Sequence, residues 1–400
     1  MKVLLVSFEF GAHVAGGLGR VINGVTEELR HQLEQLDVFL LYYNPLKLAM
    51  SGKLYRCDSA DPRRLLQTFV WGSAEEQCAE LMARERYDVV HVLSVNASIA
   101  KLAAGMERHV PRQAVVYSVH NLVKHEQGTR KNPSDFLELE RLILEQASLV
   151  HVLNEATRSY LERAYPDLPR DKPVRVVGNG VRLEDLSPTD DAFAAALERR
   201  LQPGAGVVVC LSRWTHGKGL EHFVSAAERL LAAGHEAHFV LAGRKYLSWE
   251  KEWYSYVWEI SRRARRLGDR LLVLGWLNEA QRNTLYQRAD VCVMPSELEY
   301  YPYSMLEPAA AGTPLVCSDL PCVTELFAHE RDCLLFRNGD AASLASGVER
   351  LLLDPEQARR LAARAKSRVA ARCDWKRIAD EYCDMYREAS ARGARDWAAA

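Results

Sequence analysis

The feature that most constrains the fold is a repeated alternation of short apolar runs with longer amphipathic segments. Strands of a parallel sheet are buried on both faces and read as continuous apolar runs, whereas the helices between them carry one apolar face. The alternation therefore predicts an α/β architecture in which helices cover both faces of parallel sheets. Helices are predicted at Leu18–Leu33, Gly219–Ala233 and Ala341–Leu353.

The apolar runs fall into two series of six predicted strands. The first series is Val3–Phe8, Val38–Tyr42, Val89–Leu93, Val115–Val119, Leu149–Leu153 and Val174–Val177, and the second is Val207–Leu211, Ala237–Ala242, Leu271–Leu274, Val291–Met294, Pro314–Cys317 and Cys333–Phe336. Between them, Tyr165–Gly206 contains five prolines and a Gly-Asn-Gly turn. A chain of 400 residues is long enough for two domains. We therefore expect two doubly wound parallel-sheet domains.

Composition excludes several classes of protein. The chain has 52 basic and 53 acidic residues and a formal net charge of −1, so it lacks the basic field of a nucleic-acid-binding protein. Its nine cysteines are odd in number and contain no Cys-x-x-Cys pair, which indicates reduced thiols and no zinc site. The sequence has no apolar run near the ~20 residues that a membrane span requires. We expect a cytoplasmic protein that binds no nucleic acid.

A glycine-rich loop follows the first predicted strand. Gly16, Gly17 and Gly19 stand before a predicted helix, where backbone amides can approach a phosphate or a sugar. A dinucleotide-binding fingerprint would require glycine where Ile22 stands and an acidic residue near Tyr42, at the end of the second strand. The sequence has neither, which excludes a dehydrogenase. A tight turn with no ligand remains the alternative.

Two cations follow the run Val207–Leu211. Arg213 comes directly after this predicted strand, and Lys218 opens the next helix between two glycines. A planar guanidinium and a compact ammonium in these positions suit a diphosphate. The glycine spacing is not that of a Walker loop. A pair of solvated surface cations is the alternative.

Two carboxylates and a histidine lie at the ends of other predicted strands. Glu299 lies in the loop after Val291–Met294, and Glu307 lies about one turn into the following helix. Such a pair can accept hydrogen bonds from the hydroxyl groups of a ribose and a hexose. His120 ends the strand Val115–Val119. An isolated histidine is more often structural, but at the carboxyl end of a parallel strand, where such sheets bind ligands, a functional role is favoured.

Together these motifs resemble the retaining glycosyltransferases of the GT-B fold, in glycosyltransferase family 4, which includes glycogen synthases. The matching motifs are Gly16-Gly17-Leu18, Val119-His120-Asn121, Asn179-Gly180-Val181, Arg213 with Lys218-Gly219, Pro295-Ser296, and Glu299 with Glu307. The resemblance implies two Rossmann-like domains that face each other across a cleft. Residues 1–180 would form the acceptor-side domain and residues 181–375 the nucleotide-sugar-binding domain, with a terminal helix at residues 376–400 that packs back on the first domain.

The resemblance also implies roles for single residues. Gly16 and Gly17 would lie against the donor phosphate or sugar, and Arg213 and Lys218 would stabilise the leaving nucleoside diphosphate. Glu307 would bind the ribose hydroxyls, Glu299 would bind the 3- or 4-hydroxyl of the donor sugar, and His120 would bind its 6-hydroxyl. The backbone of Tyr303, Ser304 and Met305 would bind the phosphate. The implied catalytic residues are His120, Arg213, Lys218 and Glu299. No cofactor and no metal are expected, because family members are metal-independent and the chain has no Asp-x-Asp motif.

The implied activity is transfer of a sugar, with retention, from a nucleoside-diphosphate sugar to a hydroxyl acceptor. UDP is the most frequent nucleotide in the family, and ADP and GDP remain open. One alternative is a glycogen-synthase-like transfer of glucose to glucan, which is weakened because Val14 stands where bacterial synthases carry a lysine. The other is a degenerate scaffold or sugar-binding protein. No motif identifies the acceptor; the segments Tyr43–Pro62 and Lys124–Pro133 match no known pattern.

An aromatic segment, Trp249–Trp258, precedes the arginine-rich stretch Arg262–Arg266. We interpret it as an amphipathic helix that packs its tryptophans and tyrosines on a sheet and exposes its arginines. Peripheral contact with a membrane and a contact between copies of the chain in a homo-oligomer are the alternatives.

Overall fold

The computed structural model describes residues 1–11, 16–44, 49–69, 80–81, 84–93, 114–126, 135–169, 171–187, 189–245 and 251–396. Val14 and Trp249 lie outside the described residues. The chain divides into two compact units. The first unit is Met1–Gly180 together with Trp375–Ala400, and the second unit is Val181–Asp374.

The first unit is built on an eight-stranded sheet in the order β4-β3-β2-β1-β5-β6-β7-β8. The strands are β1 (Lys2–Ser7), β2 (Gln35–Asn44), β3 (Ala49–Arg56), β4 (Arg64–Phe69), β5 (Val89–Val92), β6 (Ala114–Val119), β7 (Leu149–Val152) and β8 (Val174–Val176). Among its described residues are the helices α1 (Gly17–Leu29), α2 (Val123–Glu126), α3 (Asp135–Gln146) and α4 (Glu155–Ala164). Six of the eight strands are parallel to one another.

The prediction of six strands in the first unit is wrong, because β3 and β4 extend the sheet by two antiparallel strands. The segment Tyr43–Pro62, which matched no pattern, contains β3 and a part outside the described residues; Lys124–Pro133 also lies partly outside them. Strand β4 is exposed along residues 64–68. These strands mix polar with apolar residues, so they lack the continuous apolar run that identifies a buried parallel strand.

The second unit contains a six-stranded sheet in the order β11-β10-β9-β12-β13-β14, with every pair parallel. Its strands are β9 (Gly206–Leu211), β10 (Ala237–Ala242), β11 (Leu271–Leu274), β12 (Val291–Met294), β13 (Leu315–Ser318) and β14 (Leu334–Phe336). Its helices are α5 (Asp191–Glu198), α6 (Leu220–Ala232), α7 (Lys251–Arg266), α8 (Glu279–Arg288), α9 (Tyr303–Ala311), α10 (Pro321–Thr324), α11 (Ala341–Leu353) and α12 (Pro355–Arg372). The predicted fold class, two doubly wound α/β sheets, is confirmed.

Strand β9 shows why its sequence is continuously apolar. Val208 and Cys210 pack into one core, with side chains of α6, α7 and α11. Val207 and Val209 pack into another, with Leu197 of α5 and Leu285 of α8. Successive side chains of a strand point to opposite faces, so helices on both faces require apolar residues at every position.

The chain direction across each sheet reverses at one point. In the second unit the chain runs from β9 outward to β10 and β11, and then returns to β12 on the other side of β9. In the first unit the equivalent point lies between β1 and β5. The loops after β9 and β12 therefore leave neighbouring carboxyl ends in opposite directions, which opens a crevice where such sheets bind ligands.

The last helix, α13 (Trp375–Asp396), belongs to the first unit, where it contacts α1, β5 and β6. Trp375, its first residue, is buried against two glycines. A Cβ atom on Gly24 would lie 2.2 Å from Cε2 of Trp375, and one on Gly180 would lie 2.3 Å from Cδ2. The indole therefore occupies space that only glycine provides.

Helix α7 contains residues 251–258 of the aromatic segment, and our interpretation of it is partly wrong. Tyr256, Ile260 and Ala264 are buried, but Tyr254 and Trp258 are 52% and 60% exposed. Helical spacing explains the difference, because residues four apart share a face and the two sets lie on different faces. Within the described ranges, no helix combines the length and the apolar character needed to cross a membrane.

Replacing Gly24 with alanine should destabilise the first unit by about 1–3 kcal/mol, because the new methyl group displaces Trp375. In an unpacked helix the same change stabilises by roughly 1 kcal/mol. Unfolding in urea measures the effect. Trp375→Phe in the same chain should recover part of the loss, so the double variant should cost less than the sum of the single variants. A more stable Gly24→Ala protein would contradict the packing described.

Candidate active site

Two loops meet at the reversal point of the second-unit sheet. We call residues 212–219, between β9 and α6, the lysine loop, and residues 295–302, between β12 and α9, the glutamate loop. Gly219 has a φ of +63°, and a Cβ atom there would lie 1.8 Å from the carbonyl oxygen of Pro295. The Glu297 amide donates to the Gly217 carbonyl at 2.9 Å. Only glycine permits this backbone contact between the loops.

The contact brings together two of the predicted site residues. Nζ of Lys218 lies 2.5 Å from Oε1 of Glu299, and the two side chains are only 11% and 12% exposed. A hydrogen bond between two ions at this distance is short and strong. A fixed positive group and a fixed negative group therefore stand side by side at the carboxyl edge of the sheet.

Arg213 lies at the same edge but is held differently. It follows β9 directly and is exposed, whereas the neighbouring Trp214 is buried. Its carbonyl accepts from the Thr215 amide at 3.0 Å. No ion pair of its guanidinium occurs among the described residues. The structure thus fixes Lys218 and leaves the Arg213 side chain in solvent.

Glu307 is buried in the second turn of α9 and is oriented by α8. The hydroxyl of Tyr286 donates to its Oε2 at 3.0 Å, and Nε of Arg282 lies 3.7 Å from the same oxygen. Tyr286 and Arg282 were not among the residues predicted from the sequence. Their spacing in the sequence could have indicated them, because residues four apart share one face of a helix, and this helix directly precedes β12.

The start of α9 carries the other predicted donor-binding positions. Tyr303, Ser304 and Met305 are its first three residues, after Pro302 as N-cap. The Met305 amide donates to the Pro302 carbonyl at 3.2 Å. The first turn contains no acidic side chain, so its positive end is not neutralised from within the helix. Such an end favours an anion.

The glycine loop of the first unit is occupied by a carboxylate. Oε2 of Glu9 accepts from the amides of Gly16 at 3.0 Å and Gly19 at 2.8 Å. Gly17, the first residue of α1, is exposed. The backbone N–H of Gly16 is thus already engaged in a hydrogen bond to Glu9. This contact was not predicted, although Glu9 stands between the first strand and the loop in the sequence. His13 to Ala15 lie outside the described residues.

His120 lies at the end of β6, as the sequence predicts. Its Nε2 atom is buried and has no hydrogen-bond partner within the described segments. Burial, with a smaller contribution from His151, lowers the pKa of His120 to about 3. The imidazole is therefore neutral at neutral pH. One of its ring nitrogens donates a hydrogen bond and the other accepts one, and which does which depends on the tautomer.

A buried chain of hydrogen bonds runs through the same sheet. The distances are 2.8 Å from Tyr386 Oη to His91 Nδ1, 2.6 Å from His91 Nε2 to Ser118 Oγ, 2.5 Å from Ser118 Oγ to His151 Nδ1, and 2.7 Å from His151 Nε2 to the carbonyl of Val177. The carbonyl can only accept. The protons must therefore all point from Tyr386 towards Val177, which assigns one tautomer to each histidine.

Both histidines are neutral, as these proton directions require. Burial lowers the pKa of His91 well below its usual value and that of His151 to about 4. In the sequence, His91, Ser118 and His151 lie within the apolar runs of three predicted strands, and the hydrogen-bonded chain was not predicted. These strands are neighbours in the sheet, which is what brings the three side chains into line.

One group of described residues has donor atoms close enough for a metal ion. The ligand atoms of Glu221, His222 and Glu297 all lie within 4.8 Å of one another. Hydrogen bonds engage all three, because His222 Nε2 lies 2.9 Å from Glu297 and the Tyr256 hydroxyl donates to Glu221 at 2.6 Å. Protein partners therefore account for the group, and the expectation that the protein uses no metal stays a prediction.

Two family models match the chain. Glycosyltransferase Family 4 matches residues 15–185, and Glycosyl transferases group 1 matches residues 198–368. The glycogen synthase of Mycobacterium tuberculosis is 30% identical over 419 residues, which cover 99% of this chain and 96% of that protein. The chain belongs to the family 4 glycosyltransferases. The predicted family and enzyme class are confirmed for this glycosyltransferase.

Solved structures show the same fold. The sucrose-phosphate synthase of Thermosynechococcus elongatus has a TM-score of 0.79 at 22% identity and covers 98% of this chain and 100% of its own. HepE of Anabaena, solved with UDP and glucose, has a TM-score of 0.75 at 18% identity and covers 96% and 99%. The glycosyltransferase therefore has the GT-B fold, as its sequence motifs implied.

We expect the first unit to lose stability as the pH falls below about 6.5, the usual pKa of histidine. The unfolded chain takes up protons there, whereas His91, His120 and His151 stay neutral in the folded state to much lower pH. Each contributes a loss of up to ~1.4 kcal/mol per pH unit. Calorimetry between pH 7 and pH 5 measures this. His151→Gln should reduce the slope, because it removes one of the three buried histidines. An unchanged slope in His151→Gln would contradict the assignment.

Proposed function

We propose that this glycosyltransferase transfers a sugar from a nucleoside-diphosphate sugar, with a UDP-sugar as the first candidate donor, to a hydroxyl acceptor with retention of the anomeric configuration. The observation that carries the proposal is the pair of Lys218 and Glu299, largely buried at the reversal point of the second-unit sheet. Open parallel sheets bind their ligands outside the strand ends at this point. A cation beside a hydrogen-bond acceptor matches a ligand with a phosphate next to a sugar hydroxyl.

The charges at this edge match the leaving group. Breaking the bond between C1 and the phosphate oxygen puts negative charge on the diphosphate. In the proposal, Lys218 stabilises that charge as a fixed point charge, and the exposed Arg213 supplies a planar fork for two oxygens. The start of α9, at Tyr303, Ser304 and Met305, adds the positive end of a helix. Groups fixed in advance stabilise a developing charge without reorganisation.

The two carboxylates are assigned to neutral hydroxyl groups. Glu307, held by Tyr286 and Arg282, has a fixed orientation in which it can accept from the two ribose hydroxyls. Glu299 is assigned to the 3- or 4-hydroxyl of the donor sugar. A carboxylate makes a strong hydrogen bond to a hydroxyl when its position is fixed by its neighbours.

In the first unit the proposal assigns His120 to the 6-hydroxyl of the donor sugar, because its imidazole is neutral and its buried Nε2 has no partner among the described residues. The glycine loop is assigned to the donor through Gly17 and through the Cα of Gly16. The amide of Gly16 is excluded from this role while Glu9 accepts from it.

The proposed step needs no nucleophilic side chain. The bond from C1 to the phosphate oxygen breaks, and a bond from C1 to the acceptor oxygen forms on the same face of the sugar. The proton of the acceptor hydroxyl passes to the departing phosphate oxygen. Atoms and charge balance, and the protein contributes position and electrostatic stabilisation.

The named relatives support UDP as the nucleotide of the donor and leave a second candidate for the reaction. HepE was solved with UDP-glucose, and starch synthase IV of Arabidopsis thaliana with ADP and acarbose. The 30% identity to a glycogen synthase favours glucose transfer to a glucan as the second candidate. Val14, where bacterial synthases carry a lysine, weakens that candidate.

A donor screen tests the activity. UDP-, ADP-, GDP- and dTDP-sugars are incubated with the protein, with and without EDTA, while nucleotide release and thermal stabilisation are recorded. We expect one nucleotide class, UDP first, to stabilise the protein and to be hydrolysed slowly, and EDTA to have no effect. NMR of the product anomer then tests retention. If no nucleotide sugar gives a response, the protein is not a transferase of this kind and the scaffold alternative gains support.

Lys218→Met should lower the turnover number by about 10²–10³-fold, because it removes a fixed positive charge from the leaving group. Steady-state kinetics with the donor found in the screen measure this, and circular dichroism verifies folding. Lys172→Met is the matched control. Lys172 also makes hydrogen bonds, to the carbonyls of Glu145 and Ala147. It precedes β8 of the first unit, so it lies at the amino edge of that sheet and not at a carboxyl edge. Turnover of Lys218→Met at the wild-type rate would refute the assignment.

A further inference from the structure

A second pair of side chains joins the lysine loop and its helix to the glutamate loop. His222 lies in the first turn of α6, four residues after Lys218, and Glu297 lies two residues before Glu299. Nε2 of His222 is 2.9 Å from Oε1 of Glu297. The two segments are thus joined twice, by Lys218 with Glu299 and by His222 with Glu297.

Glu297 is held at its backbone as well as at its side chain. Its amide donates to the Gly217 carbonyl at 2.9 Å, and its carbonyl accepts from Nδ2 of Asn338 at 3.0 Å. The backbone amide of Asn338 in turn donates to Oδ1 of Asp319 at 2.8 Å. The amide, the carbonyl and Oε1 of Glu297 therefore each have a contact that opposes movement of the glutamate loop.

We propose that His222 and Glu297 are positioning residues for sugar transfer. Their pair holds the glutamate loop against the start of α6, and so keeps Lys218 and Glu299 in place while a donor is bound. This inference rests on the proposed function and adds two residues to its machinery.

The need for a second pair follows from what the first pair does in the reaction. Without a donor, Lys218 and Glu299 bind each other at 2.5 Å and so join the two loops. In the proposed function the ammonium also binds the diphosphate and the carboxylate also binds a sugar hydroxyl, so this connection is weakened when accurate placement matters most. The pair of His222 and Glu297 binds no part of the donor and keeps its hydrogen bond throughout.

The energies predict a distinctive signature. The side chains of His222 and Glu297 are 17% and 34% exposed, and a pair near the surface adds little to overall stability. Displacement of reacting groups by about 1 Å can nevertheless lower a rate by ~10²-fold. Loss of the pair should therefore lower kcat strongly. The thermal midpoint and the KM for the donor should change little.

The second unit offers a matched control in His235 and Glu349. Nε2 of His235 lies 2.7 Å from Oε1 of Glu349, with side chains 19% and 42% exposed, so chemistry, distance and burial are all similar. His235 follows α6 and precedes β10, at the amino edge of the sheet. Loss of this pair removes a similar hydrogen bond without touching either loop.

The experiment compares His222→Leu, His222→Gln, Glu297→Ala, the double variant His222→Leu/Glu297→Ala, and His235→Leu. Kinetics are measured with the donor that the screen identifies. We expect His222→Leu to lower kcat by about 10- to 100-fold and to change the KM by less than about threefold. The amide of glutamine can donate to Glu297 in place of Nε2, so His222→Gln should keep most of the activity. The double variant should be no worse than the worse single variant.

Several results would overturn the inference. These are equal kcat values for His222→Leu and His235→Leu, an effect of His222→Leu on the KM alone, or fully additive losses in the double variant. Each of these leaves the proposed function intact, because wild type and His235→Leu still transfer sugar. Absence of transfer by the wild type with every donor would instead refute the proposed function, and this inference with it.

Discussion

The backbone of Gly219 lies against the carbonyl oxygen of Pro295, and the arrangement of the candidate site depends on that contact. It lets the loops from two neighbouring strands approach until their main chains touch, which places the ammonium of Lys218 next to the carboxylate of Glu299. A side chain at position 219 would separate the loops before any attraction between the charges could act. The steric requirement is therefore primary, and the electrostatics of the site follow from it.

The residues that could be predicted from the sequence share one property. Lys218, Glu299 and Glu307 each follow a strand whose apolar run is unmistakable, and the carboxyl ends of parallel strands meet at one edge. Order along the chain was therefore enough to place them near one another. It was not enough to show that Lys218 and Glu299 bind each other, or that Tyr286 fixes Glu307, because those contacts depend on loop geometry.

The features that sequence analysis missed depend on partners far away in the chain. Strands β3 and β4 lie towards one edge of the sheet and mix polar with apolar residues, so no continuous run marks them. His91 and His151 sit among valines and leucines, and only the strand order shows that Ser118 lies between them and that a tyrosine of α13 completes the chain. Trp258 was assigned to the wrong face because both faces of α7 carry aromatic residues.

The first unit is discontinuous, and this sets an order of events during synthesis. Helix α13 contacts α1, β5 and β6 and supplies the hydroxyl of Tyr386, yet it is made only after the whole second unit. The growing chain therefore leaves the ribosome with a partly uncovered first sheet and a histidine chain that lacks its proton donor. The second unit is contiguous and is complete at Asp374. Domains fold as units during synthesis, normally from the amino terminus onward. Here the later unit can finish folding first, and the earlier one must wait for its last helix.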